Sequence, residues 1–219
     1  MWGAKRWHYC HHRPPYYWWR WANWRRLNTW IVYSYTNPYW YDYNYNVVFE
    51  DEAVYINEDP VATADDYIAM GEEIVGDPIP DEAEEIEWMP LGVFAISTSD
   101  SDSEPQMTLQ LVISKDGQLS GTYYHWQTQN MFVVHGAVDE ETQRVAFKIG
   151  DQVDNVIEIG LAGLTENEAP MWVHFGDEKT QTWTLVRLEA PESMKEDIEK
   201  LEAEEAKEEE QAKPEEEKE

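Results

Sequence analysis

Apolar and polar positions alternate with a period of two through most of residues 91–189, broken at short intervals by turn-forming residues. Eight extended runs result: 91–98, 107–115, 118–127, 130–139, 143–150, 156–165, 171–176 and 181–189. In the second run Leu109, Leu111 and Ile113 share one face and Thr108, Gln110 and Val112 the other. In the last, Trp183, Leu185 and Arg187 lie opposite Thr184, Val186 and Leu188. The breaks "KDGQ", "DEET", "GDQVDN", "TENEAP" and "GDEKT" are short and carry turn chemistry. Only "STSDSDSEPQ" is long, and its composition predicts a flexible rim loop.

Short links force neighbouring strands to run antiparallel, because a parallel return needs a crossover of about a dozen residues or more. With no helix to cover a face, such strands close into a barrel or stack as two sheets. Uninterrupted hairpin order favours the barrel, which also removes exposed edges. The predicted fold is therefore mainly β: an eight-stranded antiparallel up-and-down barrel over residues 88–190, with disordered or helical termini. An interior of this size is filled by side chains or holds one small ligand. The large residues Phe94, Phe147 and Trp172 point to a filled one.

The segment before the barrel reads as a small β-β-α unit over residues 47–76. "VVFED" and "AVYIN" are strands, and "EDPVATADDYIAMGEEIVG" opens a helix. Thr63 caps it, Asp65 and Asp66 suit its dipole, Tyr67, Met70 and Ile74 share a face, and Gly76 ends it. Residues 77–87 form an acidic, proline-containing linker. Residues 1–46 form a Trp/Tyr/Arg-rich leader, partly disordered, with eight of the 12 tryptophans. Residues 191–219 are an acidic tail with 14 acids and five lysines. Pro191 and Ser193 can start a helix there, with Met194, Ile198 and Leu201 as its one apolar stripe, before the chain frays into solvent.

Charge narrows the partners. Six of the 16 Lys and Arg precede the first acid, Asp42, so residues 1–41 carry +6. The other 10 bases and all 45 acids give residues 42–219 a charge of −35, and the chain its net −29. Such a surface repels nucleic-acid phosphate and anionic lipid, and no nucleic-acid partner is expected. No apolar run approaches the roughly 18–20 residues of a membrane span, so no transmembrane segment is expected. The start also lacks the apolar core, about 7–15 residues long, of a signal peptide. Read literally, the chain is soluble and without an export signal; read otherwise, its start is interior to a longer protein. Cys10 alone excludes an intrachain disulfide.

Two resemblances add to this reading. "YDYNYNVVFEDEAVYINEDPVATADDYIAMGEEI", preceded by Trp-rich sequence, resembles a segment of uncharacterised bacterial surface-associated proteins, especially of planctomycetes, some labelled mu-protocadherin-like. The likeness extends over roughly residues 18–190 through "WMPLGVFAIST", "AVDEETQRVAFKIGD" and "APMWVHFGDEKTQTWTLVRLE", and implies a cell-envelope or surface setting. "DGQLSGTYYH", with Gly121, Thr122 and Tyr123, resembles the second turn and third strand of avidin-like barrels. That resemblance implies a ligand cavity formed by Tyr123, His125, Phe147, Trp172 and Glu189. Val93, Phe94, Ala95 and Ile96 stand where a biotin binder needs polar groups, so biotin is not the expected ligand. Lipocalin-like barrels share the strand count, with Phe94 in place of the tryptophan of their Gly-x-Trp signature.

Catalytic chemistry is not legible. His125, His135 and His174 each sit alone in a strand, and no nucleophile elbow, HExxH or glycine-rich phosphate loop occurs. His8, Cys10, His11 and His12 cluster in "WHYCHH" but lack the second ligand pair of a structural zinc site. A metal held by His135 and His174 with Asp177 or Glu158 is weighed against ordinary structural histidines, which strand positions favour. No cofactor or metal is expected. The expected function is that of a non-enzymatic surface- or envelope-associated structural or interaction protein, its leader meeting envelope or matrix components. The alternative is a carrier of a small apolar ligand, with Trp172 and Tyr123 stacking and His125 or Glu189 orienting it.

Overall fold

A computed structural model describes residues 13–78, 86–98, 106–150, 155–176 and 179–211 of the chain. In chain order the elements are a 3-10 turn at Pro15–Trp19, α1 (Trp24–Trp30), β1 (Val47–Glu50), β2 (Ala53–Ile56), β3 (Asp59–Thr63) and α2 (Ala64–Val75). The barrel strands follow: β4 (Trp88–Thr98), β5 (Met107–Ser114), β6 (Gln118–His125), β7 (Asn130–Val138), β8 (Arg144–Ile149), β9 (Asn155–Gly160), β10 (Glu168–Phe175) and β11 (Lys179–Arg187). A 3-10 turn, Leu161–Thr165, interrupts the course from β9 to β10, and α3 (Glu192–Gln211) ends the described chain. The "WHYCHH" cluster, most of the linker, the centre of the rim loop, Asp177 and the last residues of the tail lie outside the described residues.

The eight strands form a closed antiparallel barrel in sequence order, with β11 returning to β4. The closing register sets Leu185 opposite Ile96 and Arg187 opposite Phe94. From there the inward positions follow: Leu109 opposite Phe94, Tyr123 opposite Leu109, Phe132 opposite Tyr123, and Ile157 opposite Phe147. Phe94, Ile96, Leu109, Phe147, Ile157 and Leu185 form the main core with Leu111, Ile113, Leu119, Val134, Met171 and Val173, and Tyr123 packs against it. The fold class is the expected one.

The leader closes one end of the barrel. Asn23 Oδ1 accepts the Arg26 N–H at 2.9 Å and caps α1, whose Leu27 packs into the barrel core with Ala22, Ile31, Leu161 and Leu164. Beyond α1, tyrosine hydroxyls bond to the turns at this end. Tyr33 donates to the Asp116 carbonyl at 2.7 Å and Tyr41 to that of Thr142 at 2.9 Å. Gln143 joins in both senses, donating to the Asn37 carbonyl and accepting the Tyr39 N–H. The run expected to continue as strand to Thr165 stops at Gly160, because Leu161 and Leu164 turn inward to complete this seal.

The segment before the barrel gains a third strand. β3 pairs only with β2, and Pro60, which cannot donate a ladder hydrogen bond, is tolerated on that edge. Thr63 caps α2 as expected, accepting the Asp66 N–H at 3.2 Å. The buried face of α2 differs from the expected one: Tyr67, Ile68, Gly71 and Val75 are buried, whereas Met70 is exposed. The rotation follows from Gly71, which sits directly over the Glu158 side chain on the barrel wall, where any larger residue would hold the helix away.

The acidic tail, expected to be a solvated extension beyond its short apolar stripe, is tied back through α3. Glu205 accepts from Arg20 Nη1 at 2.7 Å and from Arg26 Nη2 at 2.8 Å, and Arg20 is 1 % exposed. Burial raises the Glu205 carboxyl, but the two arginines outweigh it and hold it below its usual range.

Candidate functional site

The end of the barrel opposite α1 is not filled. A cavity of about 190 Å3 opens there. Ile96, Ile149, Ile157 and Val173 form its aliphatic walls, and Tyr123, Phe132, Phe175 and Trp183 its aromatic ones. Met107 and Asn155 complete the lining, and none of these residues carries a formal charge. The rings pair along neighbouring strands. Tyr123 and Phe132 are stacked with centroids 6.2 Å apart, and Phe175 and Trp183 are tilted at 5.8 Å. The Trp183 indole N–H donates to Gln181 Oε1 at 3.0 Å, and burial pushes the Tyr123 hydroxyl pKa up.

Of the five residues implied as cavity residues, only Tyr123 lines it. His125 is half-buried at the β6–β7 turn, its Nδ1 accepting the Thr128 N–H at 3.3 Å. Phe147 points inward but is fully buried in the packed part of the core. Trp172 is a correction: it projects from the outer face of β10 and packs with Tyr41, Tyr43, Val47, Val54 and Tyr67 beneath the three-stranded unit. Its neighbours Met171 and Val173 take the inward positions instead. Glu189 is also a correction, since it follows β11 as an exposed residue 3.4 Å from Lys195 Nζ. The sequence reading overlooked Phe132, Phe175 and Trp183. Counting alternate positions from Leu185 along the last hairpin identifies the latter two as inward.

Arg187 faces inward at the sealed end. Its guanidinium donates to the carbonyls of Leu91 at 2.7 Å, Leu164 at 2.8 Å and Glu166 at 3.1 Å, and lies 4.6 Å from the Phe94 ring centroid. A bulge between Pro90 and Gly92, with Gly92 at φ 131°, brings the Leu91 carbonyl to this position and leaves room for the guanidinium. Burial pushes the Arg187 pKa down to about 10, so it remains charged at neutral pH.

A second cluster lies on the outer wall under α2. Glu158, fully buried, accepts from Arg144 Nε at 2.7 Å and Nη2 at 2.5 Å, and Arg144 Nη2 also donates to the Tyr67 carbonyl at 2.6 Å. His174 Nε2 stands 3.2 Å from Glu158 Oε1 without hydrogen-bond alignment, and its Nδ1 bonds to Thr180 Oγ1 at 2.8 Å. Burial raises the Glu158 carboxyl, yet His174 and Arg144 together outweigh burial and hold it below its usual range. Burial likewise raises the Tyr43 and Tyr67 hydroxyls, which stay neutral.

The order Thr180, His174, Glu158 follows the hydroxyl–imidazole–carboxylate order of a nucleophilic triad. However, the carboxylate is bound by Arg144, and both Glu158 and His174 are buried. The arrangement is that of a buried ion pair. His174 and Glu158 lie on neighbouring strands and close together, but β8 stands between the strand of His135 and that of Glu158. No group of three metal-ligating side chains occurs among the described residues.

Comparison with known proteins found no matching family model, no similar curated protein and no similar solved structure.

Proposed function

We propose that the protein is a non-enzymatic binding module that holds one small, mainly apolar ligand in the open end of its barrel. The observation that carries this reading is the cavity of about 190 Å3, apolar and aromatic, in a barrel whose other end is sealed by α1 and Leu161–Thr165. The volume exceeds the roughly 150 Å3 in which a buried apolar site holds benzene. It is smaller than the roughly 300–1,000 Å3 of pockets for drug-sized molecules, which favours a ligand of a few carbon atoms or a single ring.

The test is a calorimetric titration of the full chain with neutral probes: phenol, indole and 1-hexanol. Saturable one-to-one binding, lost in Ile149→Phe at an unchanged unfolding midpoint, is the expected result. Ile149 is half-buried at the opening, and the larger ring fills the cavity there. Equal binding to the filled variant, or no binding by any probe, overturns the reading.

A second reading, an interaction module for envelope or matrix material, draws on Trp40, Tyr45 and Phe49, which remain about half or more exposed. Recovery from envelope fractions should then fall when these three become serine. Undiminished recovery counts against it.

A further inference from the structure

The open end brings together two features that select one chemical class of ligand. The first is the placement of the rings. In the closed order β10-β11-β4-β5-β6-β7-β8-β9, two strands separate β11 from β6 and two separate β7 from β10. The pair Tyr123–Phe132 on β6 and β7 therefore stands on the wall opposite the pair Phe175–Trp183 on β10 and β11. A group in the cavity lies between aromatic surfaces on both sides, and the electron-rich faces of such rings attract cations within about 6 Å.

The second is charge. No described lining residue carries a formal charge, so nothing inside repels or neutralises a cation. The chain as a whole carries a net charge of −29. An anionic ligand such as a fatty acid would meet a repulsive field and find no basic partner.

Apolar walls discriminate further among cations. A primary ammonium would lose its tight hydration against Ile96, Ile157 and Val173 with few hydrogen-bond acceptors in return. An alkylated ammonium spreads its charge over methyl groups, sheds water readily and still draws on the rings. We infer that the barrel cavity is a cage for a small alkylated ammonium group, of the trimethylammonium type, held between Tyr123–Phe132 and Phe175–Trp183. The inference rests on the proposed ligand-binding role of this cavity and names its ligand class. Asn155, the one amide of the lining, suits a hydroxyl or carbonyl on the remainder of such a ligand.

The experiment compares choline with 3,3-dimethyl-1-butanol, which has the same shape with carbon in place of the charged nitrogen. Both are titrated into the full chain by calorimetry and by the Trp183 indole N–H resonance. Choline is expected to bind at least about 10-fold tighter than the alcohol, and to weaken as salt screens the acidic field. Phe132→Leu, at a partly exposed position, is expected to lower choline affinity several-fold more than it lowers that of the alcohol, with the unfolding midpoint nearly unchanged. Equal or tighter binding of the alcohol overturns the cation inference but leaves the neutral-ligand role standing. Failure of choline, of the alcohol and of the neutral probes overturns both.

Discussion

The Arg144 guanidinium is held between two partners at once: Glu158 on the neighbouring strand, bound through two nitrogens, and the Tyr67 ring of α2, whose centroid lies 3.5 Å from Cζ. One cation thus joins the barrel wall to the unit laid over it. Removing either charge leaves the other buried and uncompensated, which costs far more than a surface ion pair contributes. Glu158→Gln is expected to lose roughly 3–5 kcal/mol in urea unfolding. The double change Arg144→Met with Glu158→Leu, which leaves no orphan charge, should lose clearly less. Equal losses would refute the pairing argument.

The same carboxylate makes stability depend on acid. Glu158 is held below its usual value of 4.5 in the folded protein, so the unfolded chain takes up this proton first as pH falls. Its contribution is complete above about pH 4.5 and disappears as pH drops through the lower folded value. The stability gap between the wild type and Glu158→Gln should therefore be constant above that pH and narrow below it. A gap unchanged into acid would refute the assignment.

Gly71 reverses an ordinary rule. Replacing a helical glycine by alanine gains about 1 kcal/mol of intrinsic propensity. Here the new Cβ would meet the Glu158 carboxylate and lie 3.1 Å from Arg144 Nη2, both buried and fixed by each other. Gly71→Ala is expected to destabilise by roughly 1–3 kcal/mol, as overpacking does. A stabilised variant in thermal unfolding would show that α2 does not dock through this position.

Arg187 supplies the donors for three carbonyls at the sealed end. Arg187→Met keeps most of the apolar stem and removes every donor, so a loss of about 2 kcal/mol or more is expected. Arg187→Lys should recover little, because one ammonium cannot reproduce the fork. Ligand binding at the opposite end should persist in both variants while they remain folded. Full stability of Arg187→Met would mean that the carbonyls find other partners.

The alternation of Leu109, Leu111 and Ile113 against Thr108 and Gln110, and the turn residues between runs, determined the strands to within a few residues. They also determined the barrel, because tight antiparallel links leave closure as the way to hide every edge. Thr63 and Gly76 bounded α2 for equally local reasons: each satisfies backbone groups at a helix end. Tertiary structure decided which face of each strand looks inward wherever both faces are covered. Met171, Trp172 and Val173 are all buried, some by the barrel and Trp172 by the unit outside it. Alternation distinguishes inside from outside only when one side meets water.

Glu158 shows the same limit from the polar side, since "NVIEIG" presents an outward acid that only the docking of α2 converts into a buried ion pair. The cavity is likewise a tertiary outcome. Leu27 and Leu161 fill one end of the barrel and the rings of the other stop short of meeting, a balance of volumes that no single stretch of chain contains.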